Sequence, residues 1–345
     1  MLKYGQRDMV QRAGDAAAAE AGIASDFAAL LFPKSDVRIS DRMLSNGRQY
    51  LNVLLAEIES HICRIALKLN ESENEILIAI EQDRDSQTLP ILDKAGLLKK
   101  ADIAEHLFVQ VQAAELAARL LHKTSQDQLE ATLTKYLDHD KPAVANAAMG
   151  LLVAQSRSLA NNSQMAADIS DVPAETLFSL VWAVSAGLSQ ITGMREKELR
   201  IVTERMLGEI DESTSITRCS QRLAQLLERD SDDDSFPHPI ADGLTLFVAR
   251  MAHKAALGPD QIIKFTAQPE MAQLVVAMRA LDVSSHDAVS IFAALDNGDN
   301  ILTPATYNGI DRDKAAALLS DWSAPVAFQR AKRLMSEENS DPFAG

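Results

Sequence analysis

The segment 40–70, SDRMLSNGRQYLNVLLAEIESHICRIALKLN, places apolar residues at Met43, Leu44, Leu51, Leu54, Leu55, Ile58, Ile62, Ile65, Ala66 and Leu69. Steps of three and four put them on one stripe of a helix with 3.6 residues per turn. Ser40 is a candidate cap, its hydroxyl able to accept from the first free N–H groups. Glu57, Glu59, Arg64 and Lys68 fall on the other side and read as a solvated face. The same period recurs in ADIAEHLFVQVQAAELAARLL, QDQLEATLTKYL, AETLFSLVWAVSAGLSQI and REKELRIVTERMLGEI. It continues through SITRCSQRLAQLLERD, ADGLTLFVARMAHKAAL, GPDQIIKFTAQ, PEMAQLVVAMRAL, SSHDAVSIFAAL and DRDKAAALLSDW. No alternating strand pattern interrupts them. The links are short and rich in Asp, Asn, Ser and Gly, which predicts that sequential helices pack antiparallel.

Two prolines mark how these helices begin. The helix over 73–82 ends near QDRD, Ser86 is placed to cap a new helix from Gln87, and Pro90 falls in that helix's first turn. Backbone N–H groups there have no intrahelical acceptor, so a proline breaks nothing. The construction repeats at TKYLDHDKPAVANAAMGLL, where Asp138 and Asp140 surround the turn and Pro142 opens the next helix. Aligning Asp83–Arg84–Asp85 with Asp138–His139–Asp140 sets Leu89 opposite Val144 and Leu92 opposite Ala147. Two such helix–acidic turn–helix units suggest stacked repeats of the HEAT type, with an irregular helical domain as the alternative.

Composition narrows the classes. The chain has 345 residues, 47% hydrophobic, 24% charged and only 5% aromatic, which suits a globular helical protein rich in Leu and Ala. Its net charge of −15 repels phosphate backbones and anionic membranes at long range, so nucleic acid is an unfavoured general partner. Cys63 and Cys219 lie far apart and outside any C-x-x-C pattern, which predicts two reduced thiols. The segment MLKYGQRDMVQRAGDAAAAEAG carries charge throughout and lacks the apolar block of a secretory leader. No run of about 18 uncharged apolar residues predicts a membrane span. A cytoplasmic location follows as an expectation.

Candidate chemistry is sparse. No G-x-G-x-x-G, G-x-x-x-x-G-K-S/T or G-x-S-x-G occurs. Histidines stand at 61, 106, 122, 139, 238, 253 and 286, none paired at the i, i+4 spacing that sets two imidazoles on one metal. His61 and His106 lie within helices and read as surface or boundary residues. In ERDSDDDSFPHP, Asp230, Asp232 and Asp234 have the 1-3-5 spacing of a calcium loop. The sixth position is Ser235 instead of Gly and the twelfth is Ala241 instead of Glu, so the stretch reads as an acidic linker stopped by Pro237 and Pro239. In LDNGDNILTP, Gly298 suits a positive φ at a helix stop. No catalytic, cofactor-binding or metal-binding residue is singled out, and no cofactor.

Ile39-Ser40-Asp41-Arg42, Ile58-Glu59, Arg64, Ala66-Leu67, Pro90-Ile91-Leu92 and Leu97-Leu98 with Asp102-Ile103 follow an ordered pattern. In that order and spacing the stretch from Ile39 to about Leu121 resembles a mainly alpha-proteobacterial family, domain of unknown function 2336, itself similar to HEAT-like repeat proteins. The family pattern is L-S/T-D-R, then V-E…R…L-A-x-x-L, an acidic turn, P-x-L and L-L-x-x-x-D-L. This chain departs at Gln87-Thr88-Leu89-Pro90, where V-A-x-P is the pattern, and Gln112-Ala113-Ala114 matches a later segment only loosely. The resemblance implies a fold and carries no chemistry.

The resulting expectation is an all-α protein, a right-handed α-solenoid or HEAT-like stack of antiparallel helix pairs. Residues 1–35 form an N-terminal helical cap, 36–228 a HEAT-like region, 229–239 an acidic linker, 240–335 a C-terminal helical region and 336–345 a flexible tail. Such a stack exposes a long surface suited to a scaffold or adaptor binding a protein or peptide. The alternatives are a HEAT-like nucleic-acid-binding or base-repair protein, which needs a basic groove, and an enzyme with a divergent site between helices.

Overall fold

A computed structural model describes residues 9–14, 16, 41–70, 74–123, 133–160, 167–229, 236–268, 270–296, 298, 300–324 and 328. Among them the protein is all-helical, with no strand. The helices are α1 (Asp41–Asn70), α2 (Glu75–Gln82), α3 (Leu89–Lys94), α4 (Ala101–Lys123), α5 (Pro142–Ala160), α6 (Ala174–Thr192) and α7 (Glu196–Glu209). They continue as α8 (Ile216–Arg229), α9 (Gly243–Ala255), α10 (Pro259–Ala267), α11 (Ala272–Ala280), α12 (Ser285–Leu295), α13 (Pro304–Asn308) and α14 (Arg312–Trp322). Residues 9–14 and 133–137 are also helical, and one-turn 3-10 helices span Ile169–Asp171 and Glu212–Thr214. No described helix is long and apolar enough to cross a membrane.

Helix starts follow local chemistry. Asn74 accepts from the N–H groups of Ile76 and Leu77, Ser284 from Asp287, and Asp311 from Asp313 and Lys314. Each satisfies donors that a first helical turn leaves free. Pro90, Pro142, Pro259 and Pro304 all lie in the opening turn of a helix, so the proline construction is more general than its two sequence copies. Gly298 has φ 96°, as its loop position requires.

Three apolar clusters hold the helices together. The first surrounds α1, whose Leu51, Leu54, Leu55, Ile58, Ile62, Ile65 and Ala66 pack with residues of α2, α3, α4, α6 and α7. Leu69, assigned to the same stripe, is 41% exposed, beyond the reach of that packing. The second cluster joins Val109, Leu116 and Leu120 of α4 to α9–α12 and α14. The third joins α5 and α8 to Leu246 and Ala249 of α9.

Sequential helices touch one another: α1 with α2, α6 with α7, and α9 with α10. Additional packing runs between distant segments, because α4 also touches α9, α10 and α12. α4 does this with two apolar faces: Ile103, Leu107 and Val111 face the first cluster and Val109, Leu116 and Leu120 the second. Packing therefore crosses the segment 229–239. Ser40, Asp230, Asp232, Asp234 and the tail 336–345 lie outside the described residues, as does most of the segment 1–35.

Candidate interaction surface

α6 is held on three sides. Leu177, Leu180, Val181, Val184 and Leu188 are buried in the first cluster. Toward α7, Ser185 and Thr203 share a hydroxyl hydrogen bond of 2.8 Å. Toward α4, Thr176 donates to the Asp102 carboxylate at 3.2 Å. Toward α3, the backbone of Gly187 comes so close to Thr88 that a Cβ there would lie 2.9 Å from Thr88 Cγ2. Phe178, two turns before Ser185 on the same helix face, is 54% exposed, with Trp182 half-buried one turn further on. Their rings meet edge-on, centroids 6.2 Å apart at 63°. Aromatic pairs favour this geometry, so the two rings hold each other in place.

Other exposed apolar residues, such as Leu69, Ile76, Ile201 and Ile301, come from separate segments of the chain. Met149 and Val153 on α5 are the second pair one turn apart, each 49% exposed. Indole N–H groups usually find an acceptor when buried. The Trp182 Nε1 atom is buried and has none, as are His61 Nδ1 and Arg64 Nε on α1.

Three buried polar centres lie elsewhere, and two correct the sequence reading. Glu59, assigned to a solvated face, is 1% exposed. Its oxygens accept from Gln87 N (2.9 Å), Thr88 N (2.9 Å), Thr88 Oγ1 (2.5 Å) and the Ser86 hydroxyl. Ser86 Oγ in turn accepts from Leu89 N at 3.0 Å, but the helix opens at Leu89 with Thr88 in the cap position, two residues later than the start at Gln87 that the sequence suggested. Glu57 and Arg64 are half-buried and Lys68 is exposed. Burial pushes the Glu57 carboxyl above its ordinary pKa, Arg64 opposing the shift and Asp168 adding to it.

His106 is buried, against the expectation of a surface or boundary residue, and its Nε2 lies 3.2 Å from the Tyr50 hydroxyl. Burial pushes its pKa down to about 4. Burial also raises that of Tyr50, with Asp171 and Asp168 adding to the shift. Neither group is tuned for proton transfer near neutral pH. The Cys63 thiol, pushed by burial to about 12, is equally far from a reactive thiolate.

The third centre surrounds Arg250 on α9, 1% exposed. It binds Glu228 through Nε at 2.9 Å and Asp242 through a terminal nitrogen at 3.3 Å. Asp242 also accepts from Lys135 Nζ (3.0 Å), Tyr136 Oη (2.9 Å) and His238 N (3.0 Å), and Lys254 pairs with Glu228. Burial opposes the charged guanidinium, but Glu228 and Asp242 outweigh it and raise the pKa of Arg250. These charges are mutually satisfied and read as a structural tie between α8, α9 and residues 133–137.

Among the described residues no group of three or more His, Cys, Asp or Glu side chains is placed to hold a metal ion. The sequence reading singled out no site residue and so missed the Phe178–Trp182 pair. Its signal was available: Phe178 and Trp182 are a turn apart, off the buried 177–181–184–188 face. No family model, curated protein or solved structure matches the chain.

Proposed function

We propose that the chain is a non-catalytic helical scaffold or adaptor, and that it binds another protein or a peptide on the outer face of α6. The observation that carries this reading is the Phe178–Trp182 pair, an exposed Phe ring set edge-on against a half-buried Trp on a helix fixed by α1, α3, α4 and α7. Fully burying a Phe side chain is worth about 1.5–3 kcal/mol, so covering the 54% of Phe178 left exposed is worth roughly half of that, and aromatic anchors of this kind dominate many interfaces. A rigid platform adds to affinity because little is left to order on binding.

The finer architecture belongs to the same proposal. A HEAT-like arrangement over 36–228 is supported by the helix pairs and by the two proline-opened helices that follow acidic turns. Membership of the domain-of-unknown-function family rests on the order and spacing of its motif pieces from Ile39-Ser40-Asp41-Arg42 to Asp102-Ile103. A reducing, cytoplasmic setting accords with Cys63 and Cys219, which are both free thiols.

The test places a photo-reactive phenylalanine analogue at position 178, and at exposed Gln190 on the same helix as control. Irradiation in extract of the native cell should give discrete protein adducts from 178 and not from 190. Equal labelling from both positions would remove the pair from the proposal. Duplex and single-stranded nucleic acid are titrated in parallel. Submicromolar binding at physiological salt that weakens steeply as salt rises would favour the nucleic-acid alternative.

A further inference from the structure

Residues 83–94 form a turn and one short helix whose order depends on a group from another part of the chain. A six-residue helix cannot sustain itself, because nucleation costs more than so few hydrogen bonds return. Within α3 only Leu92 is buried, while Asp83, Arg84, Asp85, Gln87 and Pro90 are exposed. Leu92 and the half-buried Leu89 anchor it in the first cluster, and the remaining ties are polar. Glu59 of α1 takes the backbone N–H groups of Gln87 and Thr88 together with the hydroxyls of Ser86 and Thr88. Asn52, two turns earlier, accepts from Ser86 N at 3.0 Å and donates to Asp85 at 2.7 Å. Every one of these bonds can be exchanged for water if the segment swings out. The buried apolar side chains of α1 and α6 have no such substitute.

We propose that residues 83–94 are a strap that opens as a unit while the helices beneath it stay folded, with the Glu59 carboxylate as its catch. Opening lifts Thr88 from Gly187 and Leu92 from the first cluster, so it uncovers the α3-facing side of α6. The opening is a local equilibrium of the kind that amide exchange resolves from global unfolding.

Hydrogen exchange read by mass spectrometry on the full chain tests this. In the native protein, amides of residues 87–95 should exchange at a rate insensitive to low urea and faster than those of α1, α6 and α7. In Glu59→Gln, exchange over 87–95 should accelerate roughly tenfold or more, a charged acceptor having become a neutral one. Exchange in α6 and α7 should remain within about twofold of the native rate. If Glu59→Gln does not fold, Ser86→Ala carries the same test, since it removes one donor to the catch and the acceptor for Leu89 N. An equal acceleration across α1, α6 and α7 would make Glu59 a contributor to global stability only and overturn the strap. Native 87–95 amides that exchange only with global unfolding would overturn it equally.

Discussion

Replacing Gly187 by alanine sets two effects of known size against each other. In an open helix interior the change stabilises by about 0.5–1 kcal/mol, because alanine loses less backbone freedom on folding. At Gly187 the added Cβ would meet Thr88 Cγ2 at 2.9 Å and Thr88 Cβ at 3.0 Å. Thr88 cannot turn aside cheaply, since its Oγ1 is bonded to Glu59 at 2.5 Å. Overpacking of this kind costs about 1–3 kcal/mol, so the net expectation is destabilisation by about 0.5–2 kcal/mol. Gly150→Ala on α5 is the control, its nearest prospective neighbour being Cys219 Sγ at 4.0 Å, and it should stabilise. Thr88→Ser removes the obstructing methyl and keeps the hydroxyl, so Gly187→Ala should be less harmful in that background. Urea midpoints of the single and double variants give the coupling directly. If Gly187→Ala stabilises as much as Gly150→Ala, the close approach of α3 to α6 is not what the geometry describes.

Acid should weaken the fold through His106. Its pKa of about 4 lies below the ordinary 6.5, so its contribution is complete above pH 6.5 and is lost as pH falls toward 4. The gap corresponds to on the order of 3 kcal/mol. His106→Gln should flatten the fall in urea midpoint between pH 6.5 and 4.5, leaving the share due to His61 and His238, which burial also lowers. An unchanged slope would refute the assignment. Arg250→Met, which leaves Asp242 paired with Lys135 and Glu228 with Lys254, should cost about 1–3 kcal/mol in the same assay, and no measurable loss would show that the network is slack. Calcium should not raise the melting temperature materially. A calcium-dependent shift abolished by Asp232→Asn with Asp234→Asn would revive the metal reading of that stretch.

Helices were legible because periodicity is local: a stripe such as Leu51–Leu54–Leu55–Ile58–Ile62 needs no knowledge of what it packs on. Pro90 was legible for the same reason, its role being set by the turn that contains it. Glu59 was half legible. The steps Leu55, Glu59, Ile62, Ala66 place it on the buried stripe, so its burial follows from the wheel that the charge obscured. Its partners at Ser86–Thr88 could not be read, since nothing local joins residues so far apart. Arg250 has the same character, a lone charge within a run of buried residues from Leu246 to Ala252. The second face of α4 escaped because a two-sided helix blurs the single stripe that the reading relies on.

That second face has a consequence during synthesis. Val109, Leu116 and Leu120 leave the ribosome well before α9–α12 and α14, the helices that bury them. With more than a hundred residues intervening, and chain growth at roughly 5–20 residues per second, the face waits on the order of ten seconds uncovered. Over that interval the nascent chain carries a sticky seam that a chaperone could shield or a neighbouring nascent chain could capture. Slowed translation between α4 and α9 should therefore lower the soluble yield more than the same delay after α14.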